Sequence, residues 1–304
     1  MRQNIDITES PVTPAKAPVR DLGRDAWGVA CVSVASAHER PDHKSELATQ
    51  ILMGGVLRLR KQAGDWFYVE TDDGYCAWLE AESFLPDTKS EIKRWQASSL
   101  LIVTALEDCV REQPQPAAQP VSDIVLGCRV RKTGEDDDWF RVELPDHRTG
   151  FLPKSAATDY ARWQQSRHAT PDSIERTAKL FLGRPYLWGA NTPRGLDCSG
   201  LTKLVFFLNG IALKRNASQQ AEQGVGVPLD AELGQLRKGD LLFFGHRARG
   251  DKLERVTHVG IYLGDKLFIH SSQRVRISSL DPQSPVYDSR RAKTLLKARR
   301  VLQE

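Results

Sequence analysis

Cys198 stands where the texture of the chain changes. Pro193, Gly195 and Asp197 before it are residues of loops and caps. After it, Leu201, Leu204, Val205 and Leu208 recur at the three-and-four spacing of a helix with one buried face. The cysteine therefore falls at, or within a turn of, a helix N-terminus. Unpaired N–H groups and the positive end of the helix dipole there favour a thiolate. Such a residue is either a candidate nucleophile or a small buried apolar side chain. A nucleophile needs a base.

His258 and His270 are the candidates for that base. They lie in Val256–Leu263 and Leu267–His270, two strand-like runs either side of the turn signal Gly264-Asp265. A two-residue loop would send the two rings to opposite faces. A three-residue loop, 264–266, pairs Leu263 with Leu267 and Gly260 with His270. The rings then share a face about one diagonal step apart, and this is the expected register. One ring can take the thiol proton while the other fixes its tautomer. Metal ligation is the alternative, but no further His, Asp or Glu falls at suggestive spacing, so no metal and no cofactor is expected. His38, His43, His147, His168 and His246 sit in polar or turn-like stretches and read as surface.

The elements around these residues are of two kinds. Ile51-Leu52-Met53-Gly54 precedes Asp65-Trp66-Phe67-Tyr68-Val69-Glu70 as Ile124-Val125-Leu126-Gly127 precedes Asp138-Trp139-Phe140-Arg141-Val142-Glu143. This is an internal repeat of short alternating strands and Gly, Asp and Pro turns, the pattern of a small β-barrel. Trp66 and Trp139 are read as core residues. Arg111–Pro120 reads as a loop within the second copy, and Thr88–Ser98 as a helical connector. From Thr170-Pro171-Asp172, a helix start, helices give way to strand runs at Gly239–Phe244, Val256–Leu263 and Leu267–His270. That is an α+β arrangement. The domains expected are an arm at 1–21, barrels at 22–86 and 98–158, and an α+β domain at 172–304.

Composition narrows the class. The 304 residues are 40% hydrophobic and 27% charged, with a net charge of +4, which is ordinary for a globular protein and too little to argue for nucleic acid. The basic run of Arg290, Arg291, Lys293, Lys297, Arg299 and Arg300 is read as a solvated face without interleaved aromatics. No run is apolar enough for a membrane span, and Met1–Arg20 has no signal-peptide core. A cytoplasmic location is expected, or a periplasmic or secreted one for a chain trimmed of its leader. Five cysteines, odd in number and without metal-type spacing, suggest a reducing compartment. A monomer is expected.

Leu196-Asp197-Cys198-Ser199-Gly200-Leu201, Thr257-His258-Val259-Gly260-Ile261-Tyr262 and Ile269-His270 resemble, in order, the three motifs of the NlpC/p60 cysteine peptidases, a papain-like family. Arg184-Pro185-Tyr186-Leu187-Trp188-Gly189 resembles the aromatic motif ahead of the cysteine, and Gly239–Phe244 the strand before the first histidine. The repeated barrels resemble bacterial SH3-like domains. The resemblance implies hydrolysis of peptidoglycan stem peptides. With two such barrels in front, the chain resembles more narrowly the γ-D-glutamyl-L-diamino acid endopeptidases that act on short muropeptides, which implies a place in recycling. Cys198, His258 and His270 then form the catalytic set, with the Tyr186 hydroxyl and the Cys198 N–H as oxyanion donors. Glu46 and Tyr75 of the first barrel are expected to hold the free amine of an N-terminal L-alanine. Asp197, Ser199 and Ser218 are expected near the substrate, although Ser218 reads equally as a helix N-cap. The competing functions are an amidase or acyltransferase on the same scaffold, and a non-catalytic wall-binding protein.

Overall fold

A computed structural model describes residues 18–251 and 253–302. Most of the expected arm, residues 1–17, lies outside this range, and Arg20–Asp21 at its end adds a short strand to the first barrel. The repeat is visible as geometry. Barrel 1 runs from Trp27–Ala30 to Phe84–Asp87 and barrel 2 from Leu100–Val103 to Ala157–Asp159, with the same strand order. Trp66 pairs with Glu80 as Trp139 pairs with Pro153, and each copy carries a register shift in the preceding hairpin.

The tryptophans depart from expectation. Alternation along Trp66–Glu70 turns Val69 inward and leaves Trp66 half-exposed, and Trp139 is half-exposed in the same way. Small aliphatic residues fill the barrels instead: Leu57, Val69, Ala77 and Leu79 in one, Val130, Val142 and Leu152 in the other. Gly54 and Gly127, at equivalent turns, both have positive φ (78° and 92°). A Cβ on Gly54 would overlap the Arg129 carbonyl, so this turn admits only glycine where the barrels meet.

Between the barrels lies helix α1 (Lys89–Ala97), N-capped by Thr88. Helix α2 (Tyr160–Ser166) leads into the C-terminal domain, where α3 (Pro171–Lys179) begins with a Thr170 capping box. Helix α4 (Cys198–Leu208) is the axis of this domain. Leu201, Leu204, Val205 and Phe206 bury against Val259, Ile261 and Ile269 of the sheet. Helix α5 (Ala217–Gln220) and helix α6 (Ser289–Thr294) complete the α-helices of the described residues.

The sheet has six antiparallel strands in the order Val225–Val227, Leu295–Arg300, Leu241–His246, Arg255–Gly264, Leu267–Ser272, Arg274–Ser279. The basic run thus splits: Arg290, Arg291 and Lys293 lie on α6, with Arg290 and Lys293 exposed, while Lys297, Arg299 and Arg300 lie on a strand of this sheet. Leu296 and Ala298 point inward, while Lys297 pairs with Glu254 and Arg300 with Asp240. Among the described residues no helix is long and apolar enough to cross a membrane.

Candidate active site

The hairpin brings His258 and His270 together by a route other than the expected loop. Gly264 pairs with Leu267 across the two-residue turn Asp265-Lys266, and Leu263 is bulged out between the Tyr262 and Gly264 pairs. Both turn residues have positive φ, 49° and 60°, as a primed hairpin turn requires. The bulge restores the face that a two-residue loop would have lost. Ile261 pairs with Ile269, so Gly260 faces His270. A Cβ there would stand 3.2 Å from that of His270. With the space open, His258 Nε2 lies 2.7 Å from His270 Nδ1.

Beyond His270 the chain continues to Ser278, whose Oγ is 3.1 Å from His270 Nε2. Only one arrangement of protons leaves the other nitrogen of His258 able to accept. His258 Nε2–H donates to His270, His270 Nε2–H donates to Ser278, and His258 Nδ1 is left as a base. Both rings are buried, at 5% and 0% exposure. Burial, then the nearby arginines Arg291, Arg290 and Arg276 together with His270, holds His258 well below its usual pKa. Burial, Arg291 and Arg276 hold His270 down at about 3. Each ring is therefore neutral at neutral pH.

Cys198 opens α4 as expected, and its neighbours tie it to the histidine hairpin. Ser271 Oγ donates to the Leu196 carbonyl at 2.6 Å, and Leu196 N–H donates to the Pro185 carbonyl at 3.1 Å. The thiol also meets the amide of Val259, next to His258. Its ionisation departs from expectation. Burial, then the Asp197 carboxylate, raises Cys198 to about 11, and the Val259 and Ser199 amides and Arg215 only partly oppose them. The helix N-terminus does not offset the burial, because Asp197 already caps it, accepting from Gly200 N–H at 2.6 Å and Gly189 N–H at 3.0 Å. The resting pair is a neutral thiol and a neutral imidazole.

Asp197 and Ser199, expected near the substrate, are buried and engaged with protein groups. Arg215, 1% exposed, spans both Asp197 oxygens at 2.6 and 3.2 Å and donates to Ser199 Oγ at 3.1 Å. Its Nε donates to Thr49 of barrel 1 at 3.2 Å. Gly200 lets this first turn sit under the Ala190 carbonyl, which any Cβ would overlap. Tyr186 is half-buried, with its N–H on the Gln273 carbonyl at 2.9 Å. Burial, with Cys198 and the Asp197 carboxylate nearby, pushes its hydroxyl up, so it remains a donor. Ser218 is exposed in the first turn of α5, and Asn216 is the cap instead.

Glu46 is exposed and Tyr75 half-buried against the barrel 1 core. The segments carrying them both meet the C-terminal domain. A Cβ on Gly189 would overlap the Leu47 carbonyl, and Gln50 N–H donates to Asn191 Oδ1 at 2.8 Å. Asp73 pairs with Lys203 of α4 and takes Lys214 Nζ on its carbonyl at 3.2 Å. Among the described residues no group of three or more His, Cys, Asp or Glu side chains converges as a metal site.

A thiol at a helix start, against the Val259 amide that follows the first ring of a His–His–Ser relay, is the arrangement of a cysteine peptidase, and comparison with known proteins agrees. Residues 183–299 match the NlpC/P60 family and residues 38–84 the bacterial dipeptidyl-peptidase SH3 domain. A Bacillus subtilis protein named γ-D-glutamyl-L-lysine dipeptidyl-peptidase is 37% identical, over 74% of this chain and 72% of that one. The chain belongs to the NlpC/P60 family. A Lysinibacillus sphaericus protein named dipeptidyl-peptidase 6 is 28% identical over 86% of this chain and 94% of its own. An NlpC/P60 family protein from Bacillus cereus has the same fold, with a TM-score of 0.75 at 25% identity. That match covers 91% of this chain and 100% of the other. The C-terminal domain of this NlpC/P60 protein is accordingly a papain-like peptidase domain behind SH3-like barrels.

Ser278, Arg215 and Arg291 did not emerge from the sequence as site residues. Only for Ser278 was there a signal, the alternation of Arg274–Ser279 directly after the His270 strand.

Proposed function

We propose that this peptidase cleaves the bond between γ-D-glutamate and the following diamino acid in short muropeptides that carry a free N-terminal L-alanine. As the Cys198 sulfur attacks the γ-glutamyl carbonyl, its proton passes to His258 Nδ1 and a C–S bond forms. The oxyanion is met by the Cys198 N–H and the Tyr186 hydroxyl. The C–N bond then breaks, and the proton on His258 leaves with the diamino acid amine. Water attacks the thioester, giving a proton back through His258 to sulfur and releasing the dipeptide with a free γ-carboxylate. His270 and Ser278 hold the His258 ring throughout.

The junction between the Leu47–Leu52 strand of barrel 1 and the Gly189–Thr192 segment carries this proposal. It sets Glu46 one residue from the loop that leads into Cys198. A carboxylate there suits an ammonium group, with the Tyr75 hydroxyl as its proposed partner, and an acylated N-terminus offers none. Relatives named for γ-D-glutamyl-L-lysine cleavage support the bond chosen. Such a substrate is a fragment already released from the wall, so the step belongs to recycling rather than to cutting the intact polymer. The test is to compare L-Ala-γ-D-Glu-L-Lys with its N-acetyl form. We expect kcat/KM at least about tenfold lower for the acetylated peptide, the effect of removing one charge-assisted hydrogen bond. Equal turnover would contradict the free-amine requirement.

A further inference from the structure

Beside the histidine pair lies more positive charge than the protein neutralises. The Arg291 guanidinium stands 5.8 Å from the centre of the Phe244 ring, and that ring lies 5.8 Å from the ring of His258. Arg276 Nε is 3.5 Å from His270 Nε2, and Arg290 is exposed next to Arg291. One carboxylate answers all three. Asp288 pairs with the Arg276 side chain at 3.5 Å and accepts the backbone N–H of Arg291 at 3.0 Å. Among the described residues no carboxylate lies within ion-pairing distance of the Arg291 side chain, although that side chain is half-buried. A half-buried guanidinium without an anionic partner is costly to hold. It also opposes the imidazolium that His258 must form. Both costs fall if an anion arrives with the substrate.

We propose that Arg291, backed by Arg290 and Arg276, is the subsite that receives a carboxylate of the leaving residue. This rests on the reaction proposed above. There the acyl side of the bond belongs to barrel 1, and the leaving amine must lie at His258, the ring that packs on the same Phe244 as Arg291. Two carboxylates qualify: the α-carboxylate of a C-terminal diamino acid, and the side-chain carboxylate of diaminopimelate. The first makes the enzyme demand a free C-terminus. The second makes it prefer diaminopimelate to lysine.

Three peptides separate these sources: L-Ala-γ-D-Glu-L-Lys, its C-terminal amide, and the meso-diaminopimelate analogue. They are assayed with the wild type, Arg291→Gln and Arg291→Lys. Arg291→Gln is expected to raise KM about 10- to 100-fold for the peptide bearing the recognised carboxylate. It should leave the peptide lacking that group nearly unchanged, and Arg291→Lys should recover part of the loss. A penalty confined to free C-termini identifies the α-carboxylate. Loss of a diaminopimelate preference identifies the side chain. An equal effect on all three peptides, or none, overturns the proposal.

The pH profile gives a readout that a structural role would not move. The groups acting on His258 are Arg291, His270, Arg290 and Arg276, with the Phe244 ring beside it, Asp288 on Arg276, and Cys198 against the Val259 amide that follows it. A carboxylate bound among them should move the acid limb of kcat to higher pH than that of kcat/KM, and Arg291→Gln should bring the two limbs together. Calorimetric binding of the same peptides to Cys198→Ala, with and without Arg291→Gln, requires no turnover. Arg291-dependent binding, together with a wild type that cleaves none of the peptides, would retain the subsite and reject the reaction. Binding indifferent to Arg291 would reject the subsite.

Discussion

The two barrels share strand order, register and turn glycines, yet they meet the peptidase domain by different means. Barrel 2 contributes Leu106 and Leu126 to the peptidase core, with ion pairs from Glu107 to Arg184 and Asp123 to Arg194 at the edge. Barrel 1 is joined by polar groups close to the catalytic loop: Thr49 to buried Arg215, Gln50 to Asn191, and Asp73 to Lys203. An apolar interface tolerates adjustment, whereas a buried hydrogen-bonded network holds one geometry. The repeated barrels thus differ in their joints, one packed through apolar side chains and the other held by polar groups that reach the buried Arg215 and the loop before Cys198.

The difference can be broken most severely at its centre. Cys198→Ala or His258→Ala should lower kcat by about 10⁴-fold or more, in a protein whose barrels still dock. Retained activity in either variant would remove the catalytic assignment. Arg215→Met should come next, because it leaves Asp197 buried without its cation. We expect a loss of about 3–5 kcal/mol in chemical denaturation, with a fall in kcat as the cap of α4 loosens. Arg184→Ala, which breaks the exposed pair of barrel 2, should cost no more than about 1 kcal/mol and leave kcat intact. Similar costs for the two would mean that the barrels are attached alike.

Acid behaviour sharpens the same contrast. His258 and His270 are buried neutral, with folded pKa values below the unfolded 6.5. Between pH 6.5 and about 3 the unfolded chain binds more protons, so stability is full above 6.5 and declines as pH falls through that window. Activity should persist well below pH 6.5, since the base is still unprotonated there. Melting followed from pH 7 to 4 should show the peptidase domain failing first, and failure of the barrels first would contradict this. The smallest effect expected is on Cys198 itself. With its thiol raised to about 11, iodoacetamide should label it slowly at pH 6 and faster as pH rises. Rapid labelling at pH 6 would show a preformed thiolate.

What the sequence revealed follows from how local each signal is. The helix after Cys198 and the two histidine strands are written in short-range periodicity. The barrel repeat is legible because the Asp-Trp-Phe run recurs. A three-residue loop is the simplest way to place His258 and His270 on one face, but a primed turn and a bulge at Leu263 achieve it. The strand Leu295–Arg300 was hidden by its charges, because Lys297, Arg299 and Arg300 mask the alternation of Leu296 and Ala298. Arg215 reaches Thr49 across more than half the chain, and Arg291 reaches the dyad through Phe244. No spacing rule connects residues so far apart. The thiolate expected at Cys198 fails for a related reason, since its cost depends on burial that only the assembled fold creates.

The most direct test is to incubate the wild type and Cys198→Ala with L-Ala-γ-D-Glu-L-Lys and its diaminopimelate analogue, and to follow products and intact protein by mass spectrometry. The wild type should release L-Ala-γ-D-Glu and the free diamino acid and pass through a species heavier by the dipeptidyl acyl group, located on Cys198. Cys198→Ala should yield neither. Cleavage by that variant, or release of free alanine in place of the dipeptide, would contradict the account.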